Sequence, residues 1–209
     1  MRKIHGLKLI LIFVVLTMGG CAAPTAPSPT PAPTQPIKLA NLTQAKSIVK
    51  TEIEGVVIHY QNESYWEEGQ YSVILQSKAR FSSDLIAKFV EDVSTHGEKC
   101  EEVTNANVEF NEGKKSTILK CNIHGAVSRT GNSYHATFFW LLRPLGLDFI
   151  DNHFEESKSG LFWQGSVNGT LTTITVELPT IDEFVYEAWE HPIGHCHAHV
   201  WWELAPQVT

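Results

Sequence analysis

Apolar and polar residues alternate along much of the chain, a pattern typical of half-buried β-strands. The alternation runs through Ile53–Tyr60 and again through Gln70–Ser77, with turn-forming residues between them. These two runs predict a β-hairpin. The preceding stretch, Leu42–Val49, instead suggests a short helix.

The pattern changes to a helical period after Ser82. Asp84 would lie in the first turn, where the helix dipole favours an anion, and Ser82 or Ser83 can cap the N-terminus. One apolar stripe then extends to about Gly97 and contains Leu85, Ile86, Phe89, Val90 and Val93. We expect this helix to pack on the sheet.

Two further hairpins are predicted. Strands Cys100–Phe110 and Ser116–His124 flank one turn, and strands Leu161–Val167 and Thr170–Leu178 flank the pair Asn168-Gly169. An Asn-Gly pair between strands is among the strongest local hairpin signals.

The remaining segments complete the fold class. Ser133–Leu142 predicts a strand covered on both faces, and a capping box at Thr180–Glu183 predicts a short helix that reaches Trp189. His195–Leu204 predicts a final strand. Together the elements predict an α+β fold, mainly an antiparallel β-sheet with two or three packed helices.

The N-terminus carries a different signal. Basic residues precede an unbroken apolar run, Leu9–Leu16. As a helix this run would be about 12 Å long, too short for the roughly 30 Å hydrocarbon core of a membrane. It therefore predicts a secretory signal peptide.

The residues that follow, Met18-Gly19-Gly20-Cys21, specify the signal further. Residues 1–21 resemble prokaryotic lipoprotein signal peptides, which end in an aliphatic residue, two small residues and a cysteine; Met18 stands where leucine is usual. The resemblance implies that residues 1–20 are removed, that Cys21 receives a diacylglycerol, and that the protein is anchored to the membrane, facing the periplasm or the cell surface. The alternative is an ordinary secreted protein in which Cys21 is incidental.

Residues 21–36 form a linker rich in proline and threonine. Proline occupies positions 24, 27, 29, 31, 33 and 36, a composition that favours polyproline II and a spacer of about 45 Å. Residues 37–209 have an ordinary length for one domain. We expect them to form a single extracytoplasmic domain beyond the spacer.

Charge narrows the choice of partners. The chain has 16 basic and 23 acidic residues and a net charge of −7. Removing the first 20 residues takes away three basic residues and no acidic ones, leaving 13 against 23 and a net charge of −10. Nucleic acid is therefore not expected as a partner, because phosphate binding needs a basic face. The expected partners are therefore the membrane, through the lipid anchor, and an unknown protein or small molecule.

Two cysteines of the domain, Cys100 and Cys121, lie at similar distances from the turn of their predicted hairpin. Outside the cytoplasm we expect them to face each other and form a disulfide. On the chain-entropy model such a loop contributes about 3 kcal/mol. The alternative is that both thiols are free or bind a metal.

Histidines are concentrated near the C-terminus, at positions 191, 195, 197 and 199. In a strand, period two places one set of residues on one face: His195, His197, His199, Trp201 and Glu203. The opposite, core-facing set is Cys196, Ala198, Val200, Trp202 and Leu204.

Imidazoles two residues apart on one strand face can chelate zinc or copper, and His191 at the preceding turn can add a ligand. The sequence thus suggests a metal site formed by His191, His195, His197 and His199. Two alternatives stay open: the histidines form an exposed polar face that charges at low pH, or they are buried and hydrogen bonded.

No Walker loop, dinucleotide fingerprint, nucleophile elbow or metalloprotease helix motif occurs in the sequence. The sequence therefore favours a noncatalytic, lipid-anchored domain that binds a ligand or partner with its sheet. The aromatic pairs Tyr65-Trp66 and Trp201-Trp202 are candidate contacts, unless they belong to the core. The second hypothesis is a lipoprotein that binds zinc or copper.

Overall fold

The computed structural model describes residues 39, 42–96, 101–138, 141, 154–179, 183–191 and 195–203. All of them belong to one compact unit, Pro36–Thr209. The fold is α+β, mainly antiparallel sheet, as the sequence predicts. Within the described ranges, no helix is long and apolar enough to cross a membrane.

The described elements are eleven strands and two helices. In chain order they are β1 (Gln44–Glu54), β2 (Val57–Trp66), α1 (Glu68–Leu75), α2 (Lys78–His96), β3 (Glu102–Asn111), β4 (Ser116–His124), β5 (Val127–Thr130), β6 (Ser133–Thr137), β7 (Glu155–Ser157), β8 (Gly160–Val167), β9 (Thr170–Glu177), β10 (Phe184–His191) and β11 (His195–Glu203).

These strands form two sheets. The larger sheet has the order β3-β4-β2-β1-β9-β8-β7, and the smaller one has the order β10-β11-β6-β5. Neighbouring strands are antiparallel except for β1 and β9, which are parallel and join the two halves of the larger sheet.

One hydrophobic core connects the two sheets. The inner face of the larger sheet, which carries Val49, Ile58, Ile123 and Ile174, belongs to the same cluster of buried residues as Val200 of β11. The outer face of the larger sheet is mostly polar. Helix α2 covers another part of the inner face, where Phe89 stacks on Tyr60 with ring centroids 4.6 Å apart.

Several sequence predictions are confirmed. Helix α2 exists and uses the predicted apolar stripe, although it begins at Lys78, before the predicted caps. The two hairpins β3–β4 and β8–β9 form at the predicted places. Asn168 and Gly169 both have positive φ angles, 49° and 81°, as the tight turn requires.

Two predictions near the N-terminus are wrong. Leu42–Val49 contributes to strand β1 rather than to a helix, because β1 pairs on both sides, with β2 and with β9. Gln70–Ser77 overlaps helix α1 rather than a strand. Its two buried residues, Tyr71 and Ile74, are three positions apart and therefore lie on one helical face. The hairpin partner of β2 is β1.

The helix predicted to reach Trp189 is also replaced by a strand, β10. Residues 184–187 alternate between half-buried and exposed, and β10 pairs along its length with β11. Residues 180–182, with most of the capping box, lie outside the described residues. Strand β6 covers the first half of the predicted strand Ser133–Leu142, and residues 139, 140 and 142 are outside the described residues.

Candidate functional site

Across strands β4, β2, β1, β9 and β8, one row of positions on the inner face of the larger sheet carries only small side chains. Successive pairings from β4 to β8 connect Thr117, Ser64, Ser47, Thr172 and Gly165. We call these five residues the small-residue row. Its four hydroxyl-bearing members are buried, and burying hydroxyl groups costs free energy unless they are hydrogen bonded.

Two positions further along the same strands, the inner face becomes more apolar. Val49 and Ile174 pair directly with each other there, and Leu119 lies on the same cross-strand row. These large side chains belong to the core shared with the smaller sheet. The sheet therefore has a closely packed apolar region and, beside it, a region of short polar side chains.

Among the described residues, two candidate ligand sites are a cavity of about 490 Å³ on the outer face and one of about 470 Å³ on the inner face. Both fall within the roughly 300–1,000 Å³ range of small-molecule sites. The outer depression is lined mainly by charged and amide side chains such as Lys50, Glu52 and Asn107. The inner cavity combines apolar walls with a few polar groups, as ligand sites generally do.

Helix α2 and the larger sheet enclose the inner cavity, since both contribute residues to its lining. Tyr60, Asn62 and two members of the small-residue row, Ser47 and Thr172, line it from the sheet. The further lining residues are Leu39, Leu42, Thr43, Gln44, Trp66, Phe81, Leu85, Lys88, Phe89, Asp92, Leu119, Leu141, Val167, Asn168 and Thr170. The short side chains of the row leave this space open beneath the helix.

The polar groups on the sheet side of the cavity donate their hydroxyl protons within the protein. Ser47 Oγ donates to Asn62 Oδ1 at 2.9 Å, Thr170 Oγ1 to the carbonyl oxygen of Gln44 at 2.9 Å, and Thr172 Oγ1 to the carbonyl oxygen of Thr170 at 3.2 Å. Each hydroxyl oxygen keeps acceptor capacity, and the Asn62 amide nitrogen is a donor. The floor of the cavity is thus rich in acceptors.

The two charged residues in the described lining of the cavity, Lys88 and Asp92, form an ion pair with each other. Lys88 Nζ donates to both carboxylate oxygens of Asp92, at 3.0 and 2.8 Å, across one turn of α2. The Lys88 side chain is 60% exposed and that of Asp92 only 20%, so the pair lies where the cavity meets solvent. Burial also raises the pKa of the Tyr60 hydroxyl far above its ordinary value, so this group stays protonated.

The predicted alternation of the last strand agrees with the structure wherever side chains are described. Ala198, Val200 and Trp202 of β11 are buried in the core, as expected. On the other face, His199 is also buried, whereas Trp201 is half-buried. Of the candidate aromatic contacts, Trp66 and Trp202 therefore belong to the core.

His199 is joined by a histidine that the sequence patterns did not single out. His135 of β6 lies on the strand next to β11, and its Nε2 is 2.6 Å from His199 Nδ1. The two rings are nearly coplanar, with an interplanar angle of 5°, so they meet edge to edge. Trp201 lies nearly parallel to both rings. His135 lies here because β6 pairs with β11. This pairing joins residues that are far apart in the sequence, so local patterns do not predict it.

The predicted four-histidine metal site is not tested. Among the described residues, no group of three or more His, Cys, Asp or Glu side chains could hold a metal ion. The side chains of His191, His195 and His197 lie outside the described part. Their backbone register is known: His191 pairs with His195, and His197 pairs with Trp189.

The geometric argument for the disulfide between Cys100 and Cys121 does not hold. Glu102 pairs with His124, and a bulge at Asn105–Ala106 shifts the register, so Cys121 lies opposite the bulge instead of opposite position 100. Cys121 is a free, buried thiol. Cys100, like the predicted lipidation site Cys21, is outside the described residues.

Comparison with protein-family models, with curated proteins and with solved structures finds no match for this chain.

Proposed function

We propose that this protein is a noncatalytic, lipid-anchored extracytoplasmic domain that binds a small molecule in the cavity between α2 and the larger sheet. The observation that carries the proposal is the cavity itself, with apolar walls and a polar floor built from Ser47, Asn62 and Thr172. A domain selected for stability alone would fill buried positions such as Ser47 and Thr172 with larger apolar side chains. The anchor is proposed from the signal sequence and Cys21.

The proposal is tested by NMR saturation transfer on residues 36–209. The probes are three chains of equal length with different charge: octan-1-ol, octanoate and octylammonium. At least one should bind. Binding should be lost in Thr172→Phe, which fills the cavity from the sheet, and in Leu85→Trp, which fills it from the helix.

Leu171→Phe is the matched control. Leu171 precedes Thr172 in β9 but lies on the outer face and is 44% exposed. Its substitution should leave binding unchanged. Near-UV circular dichroism establishes that each variant is folded. Absence of binding by all three probes, or equal binding in all folded variants, would contradict the proposal.

A second candidate function is binding of zinc or copper at the smaller sheet. The contact between His135 and His199 favours it, because two imidazoles from neighbouring strands already meet there. His195 and His197 occupy alternate positions of the same strand before His199. If a metal binds, these residues with His191 would supply its nitrogen ligands.

A further inference from the structure

The cavity beneath α2 has a specific balance of charge and hydrogen-bonding groups. Among the described lining residues the charged ones are Lys88 and Asp92, and these two are bonded to each other. A charged group placed at the floor of the cavity would therefore be buried without a partner, unless it broke this pair. Burying an unpaired charge is far more costly than burying a neutral polar group.

The floor discriminates further between neutral groups and anions. The hydroxyl groups of Ser47 and Thr172 already donate their protons within the protein, so their oxygens can only accept from a ligand. A carboxylate is also only an acceptor. No proton would be available for a hydrogen bond between it and the oxygens of Ser47 and Thr172. A ligand hydroxyl can donate to them and can accept from the Asn62 amide.

The walls provide the complementary apolar surface. Leu85 and Phe89 line the cavity from α2, and Leu42, Trp66 and Val167 line its sides. An apolar ligand body that packed against these residues would be removed from water, which favours binding.

We infer that the cavity takes an uncharged amphipathic molecule with an apolar body and a hydroxyl group at its polar end. This inference rests on the proposed function and specifies the ligand class for the same site. The polar end contacts Ser47, Asn62 and Thr172, and the body contacts α2.

Calorimetric titration of residues 36–209 with the same three probes tests the ligand class. Octan-1-ol should bind at least tenfold more tightly than octanoate and more tightly than octylammonium. If either charged probe binds best in a cavity-dependent manner, the inference is wrong and the proposed function stands. If no probe binds, both are wrong.

A charge variant tests whether the Lys88–Asp92 pair is the reason that charged ligands are excluded. Asp92→Asn removes the carboxylate partner of Lys88, so the affinity for octanoate relative to the affinity for octan-1-ol should rise at least fivefold. Asp84→Asn is the matched control, since Asp84 pairs with Arg80 on the same helix and does not line the cavity. An equal ratio of these two affinities in the folded Asp92→Asn, Asp84→Asn and unmodified proteins would overturn the role assigned to the Lys88–Asp92 pair and, with it, the exclusion of charged ligands.

Discussion

The indole of Trp163 occupies the space directly above Gly165, two positions along the same strand. A Cβ atom at residue 165 would lie 2.5 Å from Trp163 Cζ2, closer than two carbon atoms can approach. Gly165 is the last member of the small-residue row, where it pairs with Thr172. The buried indole therefore covers the row at β8, next to the cavity.

We expect Gly165→Ala to lower the free energy of unfolding by about 1–3 kcal/mol, because the added methyl group overpacks the site. Urea unfolding measures the change. Gly69→Ala is the control: Gly69 lies in α1 with nothing within 4 Å of an added Cβ, and alanine there should be neutral or stabilise the helix by up to about 1 kcal/mol. Equal effects of the two substitutions would contradict the packing argument.

Alkaline pH should destabilise the protein partly through Cys121. Burial raises the pKa of this thiol to about 12, so the folded state retains its proton after the unfolded state has lost it. Stability should therefore fall as pH rises above about 9, at up to about 1.4 kcal/mol per pH unit, until about pH 12.

Urea unfolding across this pH interval, compared between the unmodified protein and Cys121→Ala, measures how much Cys121 contributes to the loss of stability. The variant should lose stability less steeply. Buried Tyr186, whose pKa is also raised to about 12 by burial, should contribute a similar loss in both proteins. Parallel curves for the two proteins would count against a buried free thiol at position 121.

Metal binding at the smaller sheet would require His135 as well as the C-terminal histidines. Elemental analysis and titration with zinc and copper should give one equivalent of bound metal in protein prepared without a histidine tag. His135→Gln should weaken binding at least tenfold, as should joint substitution of His195, His197 and His199. His59→Gln, on the outer face of the larger sheet, should have no effect. Metal at background levels would exclude this second function.

Lipidation of Cys21 should decide where the protein resides. In a bacterial host, the unmodified protein should fractionate with membranes and incorporate labelled fatty acid. Cys21→Ser should abolish the labelling, because the acceptor thiol is absent. Retained labelling in the variant would contradict the lipoprotein prediction, whereas a Ser28→Ala control in the linker should behave as the unmodified protein does.

Short-range patterns were sufficient for several elements. The β3–β4 and β8–β9 hairpins, helix α2 and the buried face of β11 are readable from the sequence, because a tight turn or a single period is encoded by neighbouring residues. The local patterns of Leu42–Val49 and of the segment that forms β10 favour helices, but pairing with other strands outweighs these weak local signals.

The candidate site shows the same difference between local patterns and the pairing of distant strands. By itself, the sequence determined the mainly antiparallel α+β class and the alternation that buries Ala198, Val200 and Trp202. Only the tertiary structure decided that Ser47 lies beside Thr172 beneath α2, and that His135 meets His199 from 64 positions away. Local periodicity determines which face of a strand is buried, but the pairing of distant strands determines which residues share that face.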